Sequence, residues 1–473
     1  MVQNDTRDDS PAKSAVTASR RRDFLKAMGA ASTATALTGQ ATAQGRPPDQ
    51  ANERTRGRID KIGHLFPEGD LPRYTYAHVH EDGMYGVAGS FPRNGNNFGS
   101  TLYDLSDLSS PQEAHRLESP NPVSRTNHVR FDGTRDGLYY RTLEADTDDG
   151  IDGFQVVDYG WDSGTPENPA VIATVETPNT GVHTLGEHPE EEVIYAVDDT
   201  DDIPAIIPYD VSDPANPGMA GLFGPPGDCH DCEVDPGRDV LHCAYIGGEF
   251  EGYATLDIEN PLDPTEIGRF DYSTRPDNTS LDEVGFSNCH QAHFDSERDL
   301  AYVGDEECGG VPGGKHVFDI GWDTGSLEEP EPIGFTRAPD AREQGGDNID
   351  CACFWTTHFH DVTHTGDEVL LVDGGYRQGT WIANVTDPTN PVPTERYATD
   401  DVDLDETEDH YPYTPPYNWS TVYNEERDFF LSHDTLTGVY TFEVTDKPAR
   451  AENGGGPPTN YDLEEIRSRR CEP

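Results

Sequence analysis

The stretch that decides the fold is Tyr209-Asp210-Val211-Ser212-Asp213-Pro214-Ala215-Asn216-Pro217, which follows one apolar strand and precedes another. Its central acid, or the residue that replaces it, recurs at seven places: Asp104, Asp158, Asp210, Asp257, Asp319, Asn384 and Glu443. The intervals between these positions are 47 to 65 residues, which is typical of a chain in which one supersecondary unit is repeated.

One repeat contains four short strands. In residues 289–336 these are predicted at 292–295, 300–304, 316–320 and 332–336, with turns rich in Gly, Pro and Asp between them. A sheet this small cannot bury both faces alone, whereas copies stacked around an axis can. We therefore predict an all-β chain that folds as a seven-bladed β-propeller of four-stranded antiparallel blades. Residues 59–66 resemble a fourth strand, so we expect this N-terminal strand to complete the last blade and close the ring.

The phrase Asp-(Val/Ile)-Ser-Asp-Pro-x-x-Pro resembles the repeats of the LVIVD-repeat family of β-propellers. The resemblance covers most of residues 70–446 and is best at 205–223 and 380–397. It is weakest in the second and fifth repeats, where Gly160-Trp161-Asp162 and Gly321-Trp322-Asp323 replace Ser-Asp-Pro. The family implies the propeller fold but little about activity, which has to be argued from a site.

The chain is strongly acidic, with 90 Asp and Glu against 33 Lys and Arg and a formal net charge of −57. The acids are spread through every loop, which is typical of a halophilic protein whose carboxylates hold water and cations in high salt. The alternative, an acidic face for a basic partner, predicts clustered acids instead. Nucleic acid is excluded as a partner because no basic patch could neutralise its phosphates.

The first residues are predicted to be a targeting segment. Arg21-Arg22 forms a twin-arginine pair, an apolar stretch follows at 27–37, and Ala41-Thr42-Ala43 is a cleavage candidate. The apolar stretch is too short and too polar for a membrane span. The expected division is a twin-arginine signal peptide at 1–43, a linker at 44–57, the propeller at 58–448 and a C-terminal tail at 449–473. The mature protein is then exported by the twin-arginine pathway and is extracytoplasmic or secreted.

Aligning the first strands of the repeats by their turns brings several histidines into one register. His230 and His290 share a position, His183 joins them, Asn127 holds it in the second repeat and Trp419 in the seventh. The first strand of a propeller blade lines the central channel, so equivalent residues form a ring at one height near its mouth. Imidazole is a common transition-metal ligand. The candidate metal ligands are His78, His80, His128, His183, His230, His290, His293, His358, His360, Cys229 and Cys289.

Alternative interpretations stay open for these residues. Recurring histidines could be structural, each bonding the backbone of the neighbouring blade. An exported chain is expected to pair its cysteines, so a disulfide is predicted among Cys229, Cys289, Cys308, Cys351 and Cys353. Thiolate ligation of a metal is the alternative, and both could hold. The acidic run 146–152 resembles a calcium loop but lacks its terminal Glu.

Three functions follow as hypotheses, since no hydrolase or phosphate-binding motif is present in the sequence. The first is an exported propeller whose His-rich channel mouth binds a transition metal, copper or zinc, and acts as a binding or interaction module. The second is a copper-dependent oxidoreductase that uses the channel histidines, by fold-level analogy alone with other seven-bladed propellers that hold copper. The third is a scaffold for a cell-envelope protein, with purely structural histidines. The small ligand or protein partner is not specified by any motif.

Overall fold

The computed structural model describes residues 56–66, 72–92, 96–178, 181–198, 203–274, 286–307, 313–339, 356–402, 404 and 415–448. The predicted signal peptide, most of the linker and the tail 449–473 lie outside these residues, as do Cys308, Cys351 and Cys353. In the described residues, regular structure is β apart from one 3₁₀ turn at Tyr272–Thr274. None of the described segments forms a helix with the length and apolar character needed to cross a membrane.

Small antiparallel sheets follow one another along the described chain, and they are called A to F here. Sheet A contains β2 (Arg73–Val79), β3 (Tyr85–Phe91), β4 (Phe98–Asp104) and β5 (Gln112–Glu118). Sheet B contains β6 (Ser124–Arg125), β7 (Val129–Phe131), β8 (Leu138–Ala145), β9 (Gly153–Asp158) and β10 (Ala170–Glu176). Sheet C contains β11 (Val182–Glu187), β12 (Val193–Asp198), β13 (Pro204–Asp210), β14 (Gly218–Met219) and β15 (Phe223–Pro226).

The later sheets have the same plan. Sheet D contains β16 (Asp228–Asp235), β17 (Val240–Gly247), β18 (Gly252–Asp257) and β19 (Thr265–Asp271). Sheet E contains β20 (Cys289–Phe294), β21 (Leu300–Asp305), β22 (Lys315–Asp319) and β23 (Glu331–Thr336). Sheet F contains β1 (Arg56–Leu65), β24 (Thr356–Thr365), β25 (Glu368–Tyr376), β26 (Gly379–Asn384), β27 (Val392–Tyr397), β28 (Asn418–Asn424), β29 (Phe429–Asp434) and β30 (Gly438–Pro448).

Sheet F consists of two antiparallel halves. The strands β24 to β27 form one half, β28, β29, β30 and β1 form the other, and a single parallel bridge between Phe359 and Ser420 joins them. The N-terminal strand β1 pairs with β30, so that Ile59 lies opposite Val444. Among the described strands, the first, β1, is therefore the edge strand beside the last, β30.

Buried apolar side chains fill the space between consecutive sheets. One pair from each buried cluster illustrates this: Leu102 and Tyr139, Tyr140 and Ile194, Tyr195 and Leu241, Tyr253 and Phe318, Tyr302 and Leu371, Ile382 and Phe442, Tyr103 and Phe429. Each pair joins neighbouring sheets or sheet halves, and the last joins sheet A to the β28–β30 half of sheet F. The prediction of an all-β chain built from small antiparallel sheets is confirmed, and their packing is compatible with a propeller-like fold.

Candidate metal centre

Four histidines occupy β-bulges in the first strands of consecutive sheets. In β11, β16 and β20 the pairing with the next strand skips one residue, which is His183, His230 and His290 respectively. In β24 it skips His358 together with Phe359. A bulge leaves its extra residue outside the ladder and re-aims the side chain. These four residues are called the histidine row.

The rings of the histidine row lie side by side in chain order. Their centroids are 4.4 Å apart from His183 to His230, 4.0 Å from His230 to His290 and 4.2 Å from His290 to His358. At one end the Asn127 amide nitrogen is 3.0 Å from His183 Nδ1, and at the other the Trp419 ring is 4.8 Å from the His358 ring. Residues that the register aligned across almost 300 positions of sequence are thus adjacent.

Hydrogen bonds to the backbone fix the tautomer of two rings. His230 Nδ1 is 2.9 Å from the carbonyl oxygen of His290, and His358 Nδ1 is 2.6 Å from that of Trp419. Because a carbonyl only accepts, each Nδ1 carries the proton and donates it. In the neutral ring, Nε2 then keeps its lone pair. Metal-binding histidines are typically oriented in this way, through a hydrogen bond of the other ring nitrogen.

His290 differs from its neighbours in the row. It is 1% exposed, and neither ring nitrogen has a hydrogen-bond partner among the described residues. The backbone oxygen of His358, which is equivalent to the acceptor used by His230, receives a hydrogen bond from Lys315 Nζ instead. Lys315 is fully buried and its Nζ also lies 2.9 Å from Asp373 Oδ1. Buried polar atoms without a hydrogen-bond partner cost folding free energy. When no ligand is bound, His290 is therefore the least favourable residue of the histidine row.

Glu306 brings a carboxylate to the row. Its Oε2 is 3.7 Å from His290 Nε2 and its Oε1 is 3.7 Å from His358 Nε2. Donor atoms of these three residues, His290, His358 and Glu306, all lie within 4.8 Å of one another, and the three are called the Glu306 group. Two donors at about 2.1 Å from one ion can be separated by up to about 4.2 Å, so both 3.7 Å contacts fit a common metal.

The electrostatics of the group suit a cation. Burial lowers the pKa of His230, His290 and His358 well below the ordinary value, so these imidazoles are neutral at neutral pH. Burial also raises the pKa of Glu306 to about 7, although its side chain keeps 22% exposure. A bound metal ion would supply the positive charge that this half-buried carboxylate lacks.

Phe359 packs against the row as an apolar floor. Its ring centroid lies 4.8 Å from that of His290 and 4.7 Å from that of His358. The Phe359 ring also contacts the Tyr76 ring, with centroids 4.9 Å apart, and Tyr76 in turn stacks on His128 with centroids 3.8 Å apart. The imidazoles therefore border an apolar aromatic layer, which lowers the local dielectric around the Glu306 group.

The other predicted histidines have separate environments. The Nδ1 atoms of His128 and His78 accept from the backbone N–H groups of Leu185 and Phe131 at 3.4 and 3.1 Å. His80 Nδ1 lies 2.8 Å from Asp82 Oδ1, and His293 Nε2 lies 2.9 Å from Asp361 Oδ1. The ring centroid of His360 is 6.0 Å from that of His293. None of these five is in the Glu306 group among the described residues.

The two predicted cysteine ligands lie on the core side of their strands. Cys229 and Cys289 are fully buried free thiols in apolar clusters between sheets. Burial raises the pKa of the Cys289 thiol well above its ordinary value, which disfavours the thiolate. Neither is in the Glu306 group, and three of the possible disulfide partners lie outside the described residues.

The acidic run 146–152 forms the turn between β8 and β9. Its Asp152 Oδ1 accepts the backbone N–H of Ala145 at 2.7 Å, and Asp146 Oδ1 lies 3.6 Å from Arg125 Nε. In the described part of the chain, the run contributes no residue to a potential metal-ligand group.

Two residues of the site, Glu306 and Tyr376, were not among the ligands predicted from the sequence. Tyr376 Oη lies 2.5 Å from His358 Nε2 and also hydrogen-bonds the Glu306 carboxylate. Both residues stand at the end of a second strand: Cys289 pairs with Asp305, next to Glu306, and Thr356 pairs with Tyr376. Since antiparallel pairing puts the end of one strand beside the start of the next, aligning the second strands would have found them.

The comparisons with known proteins leave the family open. No family model matches the chain, and no curated protein matches it. The chain is similar to a solved structure, a protein of unknown function from Desulfotomaculum acetoxidans DSM 771. The two share 12% sequence identity with a TM-score of 0.47, over 69% of this chain and 87% of the other. A likeness this weak carries no argument, and membership of the LVIVD-repeat family stays a prediction.

Proposed function

We propose that the protein is an exported seven-bladed β-propeller that binds a transition-metal ion at His290, His358 and Glu306 and acts as a binding module. The propeller is supported by the apolar cluster between every pair of consecutive sheets or sheet halves, and closure by the pairing of β1 with β30. The twin-arginine segment at 1–43 and the net charge of −57 support an extracytoplasmic, halophilic protein.

The observation that carries metal binding is the convergence of the Glu306 carboxylate on two buried, neutral imidazoles. Both Nε2 atoms lie 3.7 Å from its oxygens. A purely structural role for these histidines would predict satisfied rings, as in His433. That residue hydrogen-bonds the Tyr103 hydroxyl through Nε2 and has its Nδ1 3.3 Å from the Thr75 carbonyl oxygen. His290 has no such partners in the described residues. Imidazole and carboxylate together suit copper, zinc or iron.

Elemental analysis of folded protein purified in high salt tests the proposal. We expect about one equivalent of copper, zinc or iron. We also expect His290→Ala to weaken binding by at least about 100-fold, because loss of a direct ligand exceeds the 10- to 100-fold effect of orienting residues. The control is His115→Ala, which removes a half-buried imidazole from β5. A folded wild-type protein with no metal, or equal loss in both variants, would refute the proposal.

The composition of the site favours a metal-dependent oxidoreductase as the second candidate. Two imidazoles and one carboxylate leave coordination positions open, which catalysis requires and a closed structural site does not provide. The copper-loaded protein should then consume dioxygen in the presence of a reducing sulfur or nitrogen compound, with a change in its visible or EPR spectrum. If the spectrum of the metal-loaded protein does not change when such compounds are added, the oxidoreductase hypothesis is wrong and the binding module is the function.

A further inference from the structure

The hydroxyl of Tyr376 lies beside two of the three proposed metal ligands, His358 and Glu306. The hydroxyl oxygen is 2.5 Å from His358 Nε2, and the Tyr376 side chain also bonds Glu306. Donor atoms at 90° around an ion with bonds of about 2.0 Å are separated by about 2.8 Å. The phenol oxygen is thus at the spacing of a neighbouring ligand, and a small outward shift of either ring would admit an ion.

The hydrogen-bond pattern places the Tyr376 proton. His358 Nδ1 donates to the Trp419 carbonyl, so the neutral ring accepts at Nε2, and the single Tyr376 hydroxyl proton is shared between this nitrogen and the Glu306 carboxylate. A metal ion at His358 Nε2 must take the place of this proton. The phenol then either turns away or binds the same ion through its oxygen.

Packing prevents the phenol from turning away. Tyr376 is 4% exposed, and its ring stacks on Tyr417 with centroids 4.1 Å apart and planes at 17°. The next residue, Arg377, is buried with a positive φ of 64° and donates its backbone N–H to Pro416 at 2.7 Å. Both contacts hold the end of β25 in place, so the oxygen stays beside Glu306.

We propose that Tyr376 is a direct ligand of the ion held by His290, His358 and Glu306, and that its phenolate makes the site selective for copper(II) or iron(III) over zinc(II). This inference rests on the proposed metal site and specifies its metal class. On binding, the Tyr376 O–H bond breaks, an oxygen–metal bond forms, and one proton leaves to solvent with no change of oxidation state. A phenolate oxygen favours iron(III) because of its higher charge, and copper(II) precedes zinc(II) in the general order of metal affinity. Bound to either of these two ions, the phenolate absorbs visible light by charge transfer to the metal.

The test compares the metal-loaded wild-type protein with Tyr376→Phe and Tyr417→Phe. The second variant removes the hydroxyl of the stacked neighbour and is the matched control. Each protein is titrated with copper(II), iron(III) and zinc(II), and its metal content and visible spectrum are recorded. We expect a charge-transfer band with copper(II) or iron(III) in the wild type and in Tyr417→Phe, and its loss in Tyr376→Phe. Copper affinity of Tyr376→Phe should fall by at least about 10-fold, against less than about 3-fold for zinc.

The outcomes separate this inference from the metal site itself. A wild-type protein that binds copper without the band, or a Tyr376→Phe variant that keeps it, overturns the ligand role and leaves the metal site intact. A wild-type protein that binds no metal overturns both. If Tyr376→Phe does not fold, resonance Raman excitation in the wild-type band decides, because tyrosinate ring modes appear only if a phenolate binds the metal.

Discussion

Replacing Asp319 by Asn is expected to destabilise the protein by about 2 to 4 kcal/mol. Asp319 is the central acid of the fifth repeat, ends β22, and is fully buried. Its Oδ1 accepts the backbone N–H groups of Gly321 and Trp322 at 2.9 and 2.6 Å. Its Oδ2 accepts those of Asp323, Thr324 and Gly325 at 2.9, 2.8 and 2.9 Å. One carboxylate therefore organises the whole loop that replaces Ser-Asp-Pro in this repeat.

The magnitude follows from the number of donors. Asparagine has one carbonyl oxygen, so in either orientation its NH₂ group faces at least two backbone N–H groups that it cannot accept. Each buried donor that loses its acceptor costs about 1 to 3 kcal/mol, and water that reaches the loop reduces this cost. Two lost acceptors therefore give about 2 to 4 kcal/mol.

Urea unfolding in molar potassium chloride, followed by tryptophan fluorescence, measures the effect as a change in midpoint. The control is Asp257→Asn at the equivalent position of the fourth repeat, where the exposed carboxylate accepts one N–H, from Glu259 at 2.8 Å. The control should change stability by less than about 0.5 kcal/mol. Equal midpoint shifts in the two variants would refute the idea that the five-donor loop is what Asp319 stabilises.

The same loop predicts a pH dependence. Burial raises the pKa of Asp319, but the backbone N–H donors outweigh it and leave the pKa below its ordinary value. A carboxyl whose folded pKa is depressed stabilises the fold above its unfolded pKa of about 3.9, and this contribution is lost as the pH falls through the folded pKa. The difference between wild type and Asp319→Asn should therefore be constant from about pH 5 to 8 and shrink below about pH 4.

Three further predictions concern other parts of the molecule. Lys315→Met leaves the carboxylate of Asp373 buried without its partner at 2.9 Å, so we expect a loss of about 3 to 5 kcal/mol in urea unfolding, partly recovered by adding Asp373→Asn. The hydrogen bond with Asp295 at 2.8 Å raises the pKa of His364, so its stabilisation is present below about pH 6.5 and lost as the pH rises through the folded pKa. His364→Gln should therefore make the urea midpoint less dependent on pH between about pH 6 and 8. A variant whose midpoint changes with pH as steeply as that of the wild type would contradict this. Removal of metal by a chelator should lower stability by about 2.7 kcal/mol relative to protein with free metal at 100 times Kd, and added copper should restore it.

Repetition made much of the fold predictable. The predicted strands at 300–304 and 332–336 correspond to β21 and β23, because turn residues and period-2 alternation are local signals. The register that aligned His230 with His290 was also local, since it counted residues back from equivalent turns. Glu306 and Tyr376 were not predicted because they lie at the ends of second strands, and these ends meet the first strands only through antiparallel pairing.

The sequence by itself determined an array of small β-sheets and the positions at which histidines recur, because both follow from spacing along the chain. Tertiary structure decided which histidines can share an ion. The bulges that free His230, His290 and His358 from the ladder arise in strand pairing within each sheet. The hydrogen bonds that hold two of these rings reach carbonyls of the next sheet or sheet half. Those contacts join residues about 60 positions apart, His230 with His290 and His358 with Trp419, and no local pattern encodes the direction in which an imidazole nitrogen points.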